Sequence, residues 1–189
     1  MSPARAAAPL AALLVIVSAC GSVGAGGASA GTFKESAVPA GWPTEILEAH
    51  NRHRAAHCAP PLAWSEELAS VAQAWADKLA TNGCKLQHSH GELGENLAGG
   101  TTGLVGASKS VELWYGESSQ YDFAHGGFSM TTGHFTQLVW KDSARLGCGT
   151  ASCGGTGVYV CEYDPPGNVE GLYAENVSAA TCKSAADRR

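Results

Sequence analysis

The sequence predicts an α+β domain in which helices pack on a small antiparallel sheet. Three observations carry that expectation: helical periodicities fill the first half of the chain, short strand-like runs around a glycine turn fill the second, and no internal repeat is visible. With 44% hydrophobic and 15% charged residues, the 189-residue chain has apolar material for one ordinary core and is neither disordered nor fibrous.

The first 19 residues read as an export signal, with Arg5 ahead of an apolar run from Leu10 to Ala19 that is too short to span a bilayer comfortably. Two processing sites compete. Val17-Ser18-Ala19-Cys20 has the form of a bacterial lipoprotein box, which would lipidate Cys20 and tether the protein to a membrane. Ala28-Ser29-Ala30 has the small-x-small form of ordinary signal cleavage. Residues 20–40, rich in Gly, Ala and Ser, are expected to be a flexible tether, residues 41–183 the domain, and residues 184–189 a tail.

A first helix is expected from Pro43-Thr44, with Thr44 as N-cap, to about His57. A second starts at Ser65, carries Glu66 and Glu67 in its first turn, continues through Leu68, Val71, Ala72, Trp75 and Leu79 at helical spacing, and stops at Gly83. A third, over Ser108 to Ser118, places Val111, Trp114 and Tyr115 on one face. Arg145 to Thr150 and Val158 to Tyr163 then form a hairpin about Ser152-Cys153-Gly154-Gly155.

Either processing route removes Cys20 from the thiol count and leaves Cys58, Cys84, Cys148, Cys153, Cys161 and Cys182. An even set in an exported domain implies disulfides, with the pairing left open, and the absence of paired CxxC spacing argues against a zinc cluster. A net charge of -5 without a basic patch excludes nucleic acid as a partner. His50, His53 and His57 share a helix face, but the reading adopted is that they tie down neighbouring backbone rather than bind metal. Asn176-Val177-Ser178 is a glycosylation acceptor only in a eukaryotic source.

The run Gly133-His134-Phe135-Thr136-Gln137-Leu138-Val139-Trp140 has companions in a fixed order. Upstream stand His50-Asn51-Arg52-His53-Arg54, Pro61-Leu62-Ala63-Trp64, His88-Ser89 and Gly94-Glu95-Asn96-Leu97-Ala98. Downstream stand Gly147-Cys148-Gly149, Tyr159-Val160-Cys161-Glu162-Tyr163 and Pro166-Gly167-Asn168. From Gly41 to Cys182 the chain resembles the CAP superfamily (cysteine-rich secretory, antigen 5, pathogenesis-related class one), close to its plant and yeast secreted members. Glu162 departs from the small or neutral polar residue usual after that cysteine.

The resemblance implies a three-layer α-β-α sandwich with a cleft collecting His88, Glu95, Glu117 and His134. Glu117 is assigned from its spacing to Trp114. Two imidazoles with nearby carboxylates suit Zn or another divalent cation, with His88 and His134 as ligands and Glu95 and Glu117 as further candidates; no metal is required for the fold. Tyr121, Phe123 and Phe128 resemble the loop that yeast members use for sterol. The expected function is therefore a monomeric, extracellular, non-enzymatic module for sterols, fatty acids or other apolar ligands. The alternatives are a metal-dependent hydrolase using the same cleft and a defence or cell-wall interaction protein. No nucleophile motif or HExxH supports catalysis.

Overall fold

In a computed structural model of the chain, residues 41–182 are described; the expected export signal, tether, Cys20 and C-terminal tail lie outside the described residues. The elements run α1 (Trp42–Ala56), β1 (Ala63–Trp64), α2 (Glu66–Thr81), β2 (Gly94–Thr101), α3 (Ala107–Gly116), a 3-10 turn (Glu117–Gln120), α4 (Gly133–Val139), β3 (Arg145–Cys153), β4 (Thr156–Asp164) and α5 (Tyr173–Asn176).

The sheet order is β1-β3-β4-β2. The three long strands are antiparallel, and the two-residue β1 joins β3 in parallel at one edge. Side chains alternate across the sheet. Leu97, Ala151, Val158 and Val160 meet Ala72, Ala76 and Leu79 of α2, whereas Leu146, Cys148, Cys161 and Tyr163 join Ile46, Val111, Phe135 and Leu138 from α1, α3 and α4. The expected α-β-α sandwich is therefore present, with α2 alone on one face.

Helix α2 forms as its sequence predicts. Ser65 accepts the Leu68 N–H at 3.3 Å, and Gly83 takes a φ of 67° just past the end. Helix α1 begins earlier than expected. Gly41, with φ 91°, rather than Thr44, occupies the cap, so that Trp42 is already helical and buried. The third helix gives way to a 3-10 turn at Glu117. Helix α4 and strand β2 carry no strong local signal and are additions made by tertiary contacts.

All six domain cysteines are paired, as Cys58–Cys182, Cys84–Cys153 and Cys148–Cys161. The glycines around Cys148 have a packing role. A Cβ on Gly147 would strike the backbone of Leu68 and Ala69, and one on Gly149 the backbone of Gln73 and Ala72. Helix α2 thus lies directly on the main chain of β3. Gly149→Ala should destabilise the domain by about 2–3 kcal/mol, because backbone on both sides must move. Chemical denaturation would measure it, and a loss indistinguishable from zero would mean that the helix rides higher on the sheet.

Candidate functional site

His88 lies in the irregular segment between α2 and β2. The Cys84–Cys153 disulfide holds the start of that segment, and the Trp75 indole N–H donates to the Gln87 carbonyl at 2.9 Å. His88 Nδ1 meets Glu95 Oε1 at 2.5 Å, and Glu95 also accepts the Ser89 N–H at 3.1 and 3.3 Å. Because the carboxylate accepts, Nδ1 is the donor and Nε2 is the ring nitrogen left available.

The second pair is built the same way from different elements. Glu117, at the end of α3, places Oε1 2.6 Å from His134 Nδ1, while Oε2 accepts the N–H groups of His134 at 3.0 Å and Phe135 at 3.1 Å. Thr132 makes no side-chain cap for α4, so Glu117 supplies one from a distance. One carboxylate therefore orients the imidazole and starts the helix that carries it. Asn168 donates to the Gly133 carbonyl at 2.9 Å and accepts from the Thr136 hydroxyl at 2.6 Å, fixing the same end.

His88, Glu95 and His134 line one cleft of about 230 Å³, with Asn96, Phe128 and Met130; Glu117 stands behind His134. All four expected residues are thus brought together as two carboxylate–imidazole pairs. The glutamates are occupied in orienting rings and binding backbone N–H groups. No cluster of three or more His, Cys, Asp or Glu side chains arranged to hold a metal occurs among the described residues. The protein donors that a divalent ion would use here are the two imidazole Nε2 atoms.

Glu162 lies behind Glu95. The β2–β4 register sets the two opposite each other, and Glu162 is fully buried with Oε1 unpartnered among the described residues. Burial first, then the charge of Glu95, pushes the Glu162 carboxyl up to about 8, so that near neutral pH it is protonated. Its departure from the family pattern was the one sequence signal for this pair.

Of the three loop aromatics, Tyr121 and Phe123 pack together against Phe135, and Phe128 stands apart. Tyr121 is buried, with its ring 4.9 Å from Phe123 and 5.6 Å from Phe135. Phe123 stacks on His57 at 6.2 Å and keeps part of its ring exposed. Phe128 is 54% exposed beside Gly133, and with Met130, 82% exposed, it rims the histidine cleft. The rings do not form one continuous lip.

The first-helix histidines have separate partners. His50 Nδ1 donates to the Ile46 carbonyl at 2.7 Å, and its Nε2 accepts from the Tyr163 hydroxyl at 2.8 Å; burial pulls its pKa down to about 4. His53 meets Glu112, and His57 bridges the Ser178 carbonyl and the Tyr115 hydroxyl. Asn51 clamps Leu62 through both its N–H and its C=O. Sequence reasoning gave no role to Arg54, Asn96, Gln137 or Tyr163. Arg54 had a usable signal, since it continues the inward stripe of Trp42, Ile46, Ala49 and His50, where a charge must find partners.

The family model for CAP, the cysteine-rich secretory protein family, matches residues 47–163. The tobacco (Nicotiana tabacum) pathogenesis-related protein 1A is 43% identical over 130 residues, covering 67% of this chain and 77% of that protein. The Saccharomyces cerevisiae protein PRY2 is 46% identical over 137 residues, covering 71% of this chain, which spans 40% of that relative's length. Among solved structures, the hookworm platelet inhibitor superposes with a TM-score of 0.62 at 20% identity, over 75% of this chain and 79% of that one, a likeness of fold.

The buried Glu162 makes stability pH-dependent. The unfolded chain releases this proton near 4.5, whereas the folded protein holds it to about 8, so stability falls as pH rises between the two. Glu162→Gln should be more stable than the native protein at pH 8, by about 1–3 kcal/mol, with the gain vanishing toward pH 4. Denaturation at both pH values would show it, and an equal difference at the two would remove the buried acid from the account.

Proposed function

Because this chain belongs to the cysteine-rich secretory protein (CAP) family, we propose that it acts outside the cell as a non-catalytic module that binds an apolar ligand and, separately, a divalent cation. Three disulfides suit an oxidising compartment, as does the export-type N-terminus. The observation that carries binding over hydrolysis is the state of the two glutamates. Glu117 spends both oxygens on His134 and the start of α4, and Glu95 is held between His88, Ser89 and Glu162, which leaves neither as a general base for water. His88 and His134 keep their Nε2 atoms for an exchangeable ion such as zinc. Two protein ligands support a weak site.

The apolar ligand belongs on the cleft rim. A cavity of about 230 Å³ is smaller than the ~300–1,000 Å³ typical of enclosing ligand sites, so a sterol or fatty acid would lie across Phe128 and Met130 instead of entering between the histidines. Phe123 offers the loop's other exposed ring face, while Tyr121 supports the loop from within.

Phe128→Ala with Met130→Ala should weaken binding of labelled cholesterol by about tenfold or more, since burying such side chains is worth roughly 1.5–3 kcal/mol each. His88→Ala with His134→Ala should abolish zinc uptake in calorimetry and leave cholesterol binding nearly unchanged. Unaltered sterol binding by the folded rim variant would make this surface structural and favour the defence or cell-wall interaction reading.

A further inference from the structure

Toward the sheet edge opposite β2, strand β3 is open beyond its short pairing with β1. Strand β1 pairs only with Arg145 and Leu146, and the remaining length of β3, to Cys153, has no strand beyond it among the described residues. Ladder geometry determines which groups face that edge. Cys148 and Cys161 are opposed with a Cα–Cα distance of 4.1 Å, the spacing of a non-hydrogen-bonded antiparallel pair, so the Cys148 N–H and C=O point away from β4. The edge-facing groups on either side are matched. Leu146 accepts the Ser65 N–H at 2.8 Å, and Thr150 has its C=O and N–H held by the Gln73 side-chain amide at 2.9 and 3.1 Å.

Cys148 has no such partner among the described residues. The next carbonyl along the line of β1 would be that of Ser65, and it is committed to the Ala69 N–H as α2 begins, at 2.9 Å. The result is a buried residue whose main-chain donor and acceptor both face an open groove of about 550 Å³, bordered by Trp42, Trp64, Gln73, Glu66 and Asp77. A donor and an acceptor from one strand residue are complemented by the main chain of another extended segment. The groove walls are indoles and small apolar groups, and its charged side chains are the two carboxylates, with no Lys or Arg among the residues lining it.

We infer that this edge is a docking site for an extended, basic peptide segment of a partner protein, which pairs with Cys148 and lays aliphatic stems and cationic groups over Trp64, Glu66 and Asp77. Indole faces and carboxylates together favour lysine and arginine over acidic side chains. Gln73 acts as a stopper. Its amide imitates a strand at Thr150 and can swing out to lengthen the ladder.

The test uses the full exported chain with its disulfides intact. The probe is a fluorescein-labelled, acetylated and amidated pentapeptide alternating valine with lysine, read by anisotropy and by hydrogen exchange at the Cys148 amide. Binding should be saturable and should slow that exchange by about tenfold or more. N-methylation of the central peptide residue, Glu66→Gln with Asp77→Asn, and Ala74→Trp at the exposed groove rim should each weaken binding by about tenfold. Equal binding by the N-methylated peptide would show adhesion by charge alone and overturn the proposal, as would failure of the probe to bind. A Cys148 amide already protected without peptide would also overturn it. Protection independent of protein concentration would identify the chain's own segment as the occupant, and protection that grows with concentration a second copy.

Discussion

The guanidinium of Arg54 is fully removed from water and, among the described residues, meets no carboxylate. Its partners are backbone carbonyls: Pro60 at 2.8 Å, Leu138 at 3.0 Å, Trp140 at 2.7 Å and Ser143 at 2.8 Å. Leu138 and Trp140 lie at the C-terminal end of α4, where unpaired carbonyls carry partial negative charge, so one cation stabilises a helix end that the sequence does not cap locally. Burial lowers the Arg54 pKa to about 10, which leaves the group charged at neutral pH and its donors intact. The fork shape matters, since the acceptors lie on separate segments that a single ammonium could not span.

Helix α4 is thereby held at both ends by residues distant in sequence, Arg54 at its C-terminus and Glu117 at its N-terminus. A second buried chain runs beside it. His50 accepts from the Tyr163 hydroxyl, which in turn accepts from Asn96 at 3.1 Å, and Asn96 also donates to the His134 carbonyl at 3.0 Å. Gln137 adds a third tie by accepting the Gly167 N–H at 2.8 Å and donating to Ser143 at 3.1 Å. The cleft is therefore a place where α1, α3, β2 and β4 all fix one short helix, and His134 faces His88 because of those ties. Such a site holds its rings still, and its carboxylates are occupied in holding them.

What could be read from the sequence follows from where the stabilising groups lie. Helix α2 was legible because Ser65, Glu66, Glu67, the apolar spacing and Gly83 are all local. The hairpin was legible because Gly154 and Gly155, with φ of 53° and 87°, supply the turn. Helix α4 was not, since seven residues starting with glycine do not nucleate alone and both of its caps come from elsewhere. Strand β2 is glycine-rich and is a strand only because β4 pairs with it. His88, Glu95 and His134 were found through motif resemblance, and Glu117 through its spacing to Trp114. The division of the loop rings, with Tyr121 and Phe123 packed on Phe135 and Phe128 beside Gly133, depends on tertiary packing that no local pattern encodes.

The dependence of the site on the buried guanidinium is most directly tested by amide hydrogen exchange in Arg54→Lys, which keeps the charge and removes the fork. Exchange over Gly133–Val139 and the following turn should accelerate by about 100-fold or more, while the β2–β4 ladder changes by far less, because the local ties of α4 are lost before the sheet opens. Uniform acceleration across the domain, or none in α4, would contradict the account and leave Arg54 as an ordinary contributor to global stability.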